Sequence, residues 1–149
     1  MRGNRGFTLI ELLVVFAIMG LLVAIVPIAF DRLQDGAHYR DTLRTLLADL
    51  REARYQASAR GAEVRFKLDL AQRNFGVDDG PRRMLPASLQ VRATVANKEL
   101  APDGVASIRF LPQGGATGGS IDIARSSGAG VRLRVDWLSG QVSQEALTR

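Results

Sequence analysis

The 149 residues carry 20 basic and 15 acidic side chains, one histidine and no cysteine. Disulfides, thiolate metal sites and cysteine nucleophiles are thereby excluded, and the length suits one membrane helix with one small globular domain rather than two full domains. A formal net charge of +5, spread over scattered arginines, does not by itself argue for a nucleic-acid partner.

The chain opens with a short basic leader containing Arg2 and Arg5, and an apolar run then reaches Phe30. After Glu11 no charged residue occurs until Asp31. A secretory signal peptide would have an apolar core of about 7–15 residues closed by a small-residue cleavage site. The run here is longer, and no such site closes it. A plain membrane anchor needs about 20 apolar residues, which this segment supplies. That reading leaves Glu11 unexplained, because a charge inside a membrane segment costs about 2.5–3.5 kcal/mol on insertion scales.

The residues Gly6-Phe7-Thr8-Leu9-Ile10-Glu11-Leu12, after the basic leader and before the long apolar helix, account for the acid. This stretch resembles the class III signal of type IV pilins and type II secretion pseudopilins. The resemblance implies that a prepilin peptidase removes residues 1–6 by cutting between Gly6 and Phe7, then N-methylates the Phe7 amine. Residues 7–30 would stay in the mature chain as a transmembrane and assembly helix. Without Arg2 and Arg5 the chain keeps 18 basic and 15 acidic side chains, a net +3. Glu11 would pair with the N-terminal amine of a neighbouring subunit. In a low-dielectric helix bundle an unpaired carboxylate is costly, and an incoming ammonium removes that cost.

The basic leader places the N-terminus in the cytoplasm by the positive-inside rule, so the chain is expected to cross the bacterial inner membrane once and carry a periplasmic C-terminal domain. Gly20 offers a small surface for helix approach, or is simply tolerated there. Pro27 deprives the Val23 carbonyl of its helical partner and predicts a bend.

Beyond Phe30 the helical period continues. Leu33, Ala37, Leu43, Leu46, Leu47, Leu50, Ala53 and Ala57 form an apolar stripe, with Asp41, Arg44, Asp49, Arg51, Glu52 and Arg60 on the other positions. Arg60-Gly61 reads as a helix stop. Residues 31–61 are therefore an amphipathic continuation, either part of one helix of roughly 80 Å at 1.5 Å per residue or hinged near Asp35-Gly36.

From Glu63 the period changes to alternation. Val64, Phe66, Leu68 and Leu70 oppose Arg65, Lys67 and Asp69 on a half-buried strand. Further strands are predicted at Phe75–Val77, Leu89–Val95, Ser107–Leu111, Ser120–Ala124, Val131–Trp137 and near Val142, with a loop at Asn97–Gly104. The expected class is α+β: a long N-terminal transmembrane and amphipathic helix packed on an antiparallel β-sheet domain, residues 62–149, of about six or seven strands.

No catalytic or metal chemistry emerges. The run Gly114-Gly115-Ala116-Thr117-Gly118-Gly119 lacks the following helix and the Lys-Ser/Thr pair of a phosphate cradle. Asp78-Asp79, Asp103 and Asp136 follow no cation-ligand spacing, and His38 sits on an amphipathic helix as a surface residue would. No triad can be assembled, so no enzyme activity, cofactor or metal is expected.

The pattern Ile108-Arg109-Phe110-Leu111-Pro112-Gln113-Gly114 through Gly118-Gly119-Ser120-Ile121 carries a second resemblance. A strand ending in Phe110-x-Pro112 and leading into a loop with Gly114, Gly118 and Gly119 resembles the C-terminal signature of the GspH/FimT pseudopilin family. That family implies a minor pseudopilin of type II secretion, assembling near the tip of a periplasmic pseudopilus that drives export of folded proteins across the outer membrane. Its implied partners are the major pseudopilin, other minor pseudopilins, the prepilin peptidase and the inner-membrane assembly platform. The alternative is a FimT/FimU-like minor pilin of a type IV pilus or DNA-uptake machine, drawing on Arg82, Arg83, Arg125, Arg132, Arg134 and Arg149. Arg132 and Arg134 alternate with apolar residues as a solvated sheet face does, so a nucleic-acid partner is not expected.

Overall fold

The computed structural model describes residues 8–78 and 80–147, without the side chains of residues 24–35 and of Lys98. The expectations at Gly6, Phe7, Asp79, Arg149 and the side chains of Pro27 and Leu33 fall outside the described residues. The chain divides into two compact units, Met1–Gly36 and Ala37–Arg149. Helix α1 is Leu9–Arg60, so helical backbone includes both Pro27 and Gly36, where a bend or a hinge was expected. Among the described residues no helix is long and apolar enough to cross a membrane.

The stop at Arg60-Gly61 is realised. Gly61 adopts φ 63°, and the Ala62 N–H reaches back to the Ala57 carbonyl at 3.3 Å, satisfying an end carbonyl as a Schellman closure does.

In the second unit α1 buries Tyr39, Leu46, Leu47, Leu50, Ala53 and Ala57. Asp49, expected on the solvated side, corrects the helical reading. It lies on the buried stripe, between Leu46 and Ala53, and pairs with Arg83 at 3.0 Å. Burial pushes its carboxyl up and the Arg83 guanidinium opposes that shift.

The strands are β1 (Val64–Asp69), β2 (Asn74–Val77), β3 (Arg83–Met84), β4 (Gln90–Val95), β5 (Val105–Phe110), β6 (Gly119–Ala124), β7 (Gly130–Val135) and β8 (Val142–Ala146). They form two antiparallel four-stranded sheets, ordered β3-β2-β1-β5 and β4-β6-β7-β8. The expected α+β arrangement of helix and antiparallel sheet is observed, with eight strands among the described residues rather than six or seven. The strand missed by pattern is β3, whose two exposed residues carry no alternation.

Side-chain hydrogen bonds also shorten two expected strands. Asp69 accepts from the Gln72 N–H at 2.7 Å and closes a turn in which Arg73 has φ 50°, so Leu70 leaves β1 and is 37% exposed. Asp136 accepts from the Ser139 N–H and hydroxyl, both at 2.8 Å, and from the Leu138 N–H at 3.2 Å. These bonds hold its carboxyl below the usual range and start a turn before Trp137, which therefore lies outside β7.

One core joins helix and sheets. Phe66, Leu68 and Val64 of β1, Phe75 of β2, Ile108 and Phe110 of β5, Ile121 and Ile123 of β6 and Leu133 of β7 are almost wholly covered, with Leu46 and Leu50 of α1. Each such side chain contributes about 1.5–3 kcal/mol of burial. The Phe66 and Phe75 rings lie 6.1 Å apart at a tilt.

The outward face of the second sheet sets basic and acidic side chains against one another. Register places Arg92, Asp122, Arg132 and Glu145 opposite one another across β4, β6, β7 and β8, a row of alternating sign. Arg132 grips Asp122 in a two-pronged contact at 2.6 and 2.8 Å. The Arg132 hydrogen bond holds the Asp122 carboxyl below its ordinary value. A depressed folded value means that the unfolded chain binds more protons as pH falls through the carboxylate range, so this contribution is present near neutrality and is lost in acid. Asp49, raised in the fold, has the opposite sign. The urea midpoints of the parent and of Asp122→Asn should therefore differ more at pH 6 than at pH 3; an equal gap at both would show that the pair contributes nothing to acid sensitivity.

Candidate functional site

Two segments single themselves out, one in each unit. In the first, Thr8 caps α1: its hydroxyl accepts the Glu11 N–H at 3.3 Å, and its carbonyl accepts the Leu12 N–H at 3.2 Å. Thr8-x-x-Glu11 has the sequence of a capping box, with the acid in the positive first turn of the helix. Apolar side chains then occupy every side of the helix. Leu9, Ile10, Leu12, Leu13, Phe16, Ile18, Met19, Leu21, Leu22 and Val23 are all more than half exposed. Gly20 has no neighbour within 4 Å of its would-be Cβ, so its flank is open. A helix apolar all round is built for surroundings of lipid or of other helices.

In the second unit, the glycine-rich loop between β5 and β6 is packed against the β7–β8 turn. Phe110 is fully buried at the end of β5, with Pro112 half-buried after it. The loop closes on itself through the Leu111 N–H to the Gly115 carbonyl and the Gly114 N–H to the Leu111 carbonyl, at 3.2 and 3.1 Å. The Ala116 N–H then donates to the Trp137 carbonyl at 2.9 Å. Gly114, Gly115, Gly118 and Gly119 all have positive φ. Gly114 faces open space, whereas a Cβ on Gly115 would lie 2.9 Å from the Leu138 carbonyl oxygen and one on Gly118 would lie 3.1 Å from the Trp137 Cβ. The loop thus clamps the turn, and the Trp137 and Leu138 side chains project outward at 68% and 70% exposure. A hollow of about 470 Å³ on the outer sheet face is bordered by Gly118, Gly119, Arg134 and Trp137.

Arg109 ties this loop to the rest of the unit. Its N–H donates to the Thr117 hydroxyl at 3.0 Å, and its guanidinium reaches Glu99 at 2.7 Å and Glu63 at 3.1 Å. Glu99 sits in a 3-10 turn, Asn97–Glu99, inside the expected loop, with its side chain only 3% exposed. Sequence reasoning missed Glu99 and Arg109 because neither the polar run Asn97-Lys98-Glu99 nor an arginine in an alternating strand signals a buried ion pair.

Similarity to known proteins follows the same two segments. Residues 1–27 match the prokaryotic N-terminal methylation motif, and residues 42–140 match the family described as type II transport protein GspH. The chain belongs to the GspH family. It is 35% identical over 141 residues to the type II secretion system protein H of Xanthomonas campestris pv. campestris, covering 95% of this chain and 83% of that one. Among solved structures it resembles the minor pseudopilin EpsH of the Vibrio cholerae type 2 secretion system. The TM-score is 0.54 at 14% identity, over 74% of this chain and 97% of the other. It also resembles the type IV minor pilin FimU of Pseudomonas aeruginosa, with a TM-score of 0.56 at 15% identity over 78% and 97%. These last two likenesses establish the pilin-like fold.

Membership makes the chain a GspH-like minor pseudopilin, a structural component of type II secretion, and favours that reading over the type IV pilus alternative. The GspH match ends at Gly140, in the turn that the glycine-rich loop clamps. Of the arginines weighed for nucleic acid, Arg83 and Arg132 are committed to carboxylates, and Arg134 lies 3.9 Å from Glu145. Arg82 donates to the Asp78 carbonyl, and Arg125 stacks 5.2 Å from the Tyr39 ring centre.

Proposed function

We propose that this GspH-family chain is anchored in the inner membrane by residues 7–30 after cleavage between Gly6 and Phe7. It then assembles through the same helix into the periplasmic pseudopilus, near the tip, to help move folded proteins across the outer membrane. Its N-terminus is cytoplasmic before assembly and its β-rich unit periplasmic. Partners are the major pseudopilin, the other minor pseudopilins, the prepilin peptidase and the assembly platform.

The observation that carries this reading is a helix exposing apolar groups on all sides with one acid, Glu11, in its first turn. A lipid anchor alone has no use for that acid. A bundle of such helices does, because the Phe7 ammonium of one subunit can neutralise the Glu11 carboxylate of the next. Gly20, whose flank is open, would let a neighbouring helix approach, and Pro27 would let the helix adjust to it.

Glu11→Ala is the direct test. Thr8, not the Glu11 side chain, satisfies the Glu11 N–H, so the substitution leaves the helix start capped. The variant should remain in the membrane fraction yet lose most of its cross-linking to neighbouring subunits and its recovery in sheared filaments. Undiminished incorporation would refute the pairing role.

A further inference from the structure

Beside the clamped turn, the outer face of α1 carries the second half of an uncovered surface. Tyr55 is 68% exposed, matching Trp137 and Leu138. A hollow of about 410 Å³ lies where this helix face meets the end of the turn, lined by Arg51, Arg54, Tyr55, Ser58, Gln141 and Val142. The two halves touch: a Cβ on Gly140 would lie 3.4 Å from the Arg54 Nε and 3.0 Å from the Gly115 carbonyl oxygen.

We infer that Tyr55, Trp137 and Leu138, with Arg51 and Arg54, form the docking surface by which the β-rich unit binds an acidic face on the periplasmic domain of a neighbouring pseudopilin. This rests on the assembly reading above and names the surface that reading leaves open.

Three observations converge. Trp137 and Leu138 are presented rigidly. The turn backbone is pinned by Asp136 from within and by Gly115, Ala116 and Gly118 from the loop, so little conformational freedom is lost when a partner covers it. The composition is that of interface anchors, since exposed Trp, Tyr and Arg contribute most where a partner excludes water. The charge selects the occupant. Arg109 and Arg132 of the sheets are matched by carboxylates, but among the described residues neither Arg51 nor Arg54 has an ion pair. Two unmatched guanidinium groups beside apolar anchors fit carboxylates rimming an apolar patch.

The test uses the full chain in its own membrane, co-expressed with the other pseudopilins of the same system. A photo-cross-linking residue is placed at Tyr55, at Leu138 or, as a reference within the apolar helix, at Phe16, which is itself 66% exposed. Adducts from Tyr55 and Leu138 should contain another pseudopilin by mass spectrometry. The Leu138 adduct should fall by about tenfold when Arg51→Glu and Arg54→Glu are combined, and persist with lysine at both positions. Adducts from Phe16 alone would overturn the docking surface and leave helix assembly standing. No adduct from any of the three would overturn both. Nuclease-sensitive adducts at Tyr55 or Leu138, or adducts indifferent to charge reversal, would equally overturn it, the former in favour of nucleic acid.

Discussion

Arg109→Met should destabilise the β-rich unit by about 3 kcal/mol or more, the effect expected when a buried ion pair loses one partner. Glu99 is the reason. Its carboxylate is almost wholly covered and pairs with the Arg109 guanidinium at 2.7 Å, so removal of the cation leaves a charge in a low-dielectric site. Glu63, half exposed, would return to water at little cost. Thermal unfolding of the detergent-solubilised chain should show a fall of roughly 10 °C or more. Combining Arg109→Met with Glu99→Leu should recover much of that loss, since replacing both partners by apolar groups removes the orphaned charge. A single variant as stable as the parent would mean that Glu99 escapes to solvent. A double variant no better than the single would mean that Arg109 acts through packing and its Glu63 contact.

Gly115→Ala and Gly114→Ala should separate two meanings of glycine within one loop. Both positions have positive φ, 79° and 92°, where an L side chain is strained by about 1–2 kcal/mol. Only Gly115 has a neighbour in the way. Its new Cβ would sit 2.9 Å from the Leu138 carbonyl oxygen and 3.0 Å from that of Trp137, both backbone atoms that cannot swing aside. Gly115→Ala should therefore cost about 3 kcal/mol, at the upper end for local backbone strain, while Gly114→Ala should cost about 1. Trp137 is the single tryptophan, so its fluorescence anisotropy reports the turn directly. It should drop in Gly115→Ala, where the clamp is loosened, and stay unchanged in Gly114→Ala. Equal losses of stability, with no change in anisotropy, would show that the loop does not hold the turn.

The two resemblances read from the sequence lie at opposite ends of the chain, and each has a local physical basis. Glu11 stands out because an acid in an apolar helix is energetically conspicuous wherever the helix goes. The strands around Phe66, Ile108, Ile121 and Leu133 stand out because alternation is a property of a few adjacent residues. The loop glycines are legible for the same reason, since positive φ is written in the residue type. What failed was turn chemistry that competes with the strand pattern, and one neighbour remote in sequence. Leu70 and Trp137 extend an apolar alternation but are turned out of their strands by hydrogen bonds to Asp69 and Asp136. Asp49 looks like a solvated helix residue until Arg83, on a two-residue strand without pattern, arrives beside it.

By itself, then, the sequence determined most of the elements and most of their sidedness: an all-round apolar helix with one acid, an amphipathic continuation ending at Gly61, and strands with one buried face. Periodicity and residue type act over a few residues and need no partner. Only the tertiary structure decided that the strands divide into two sheets, that Glu99 is buried on Arg109, and that the glycine-rich loop clamps the turn presenting Trp137. Those outcomes depend on which distant groups come within hydrogen-bonding or van der Waals reach, and no local pattern encodes that distance.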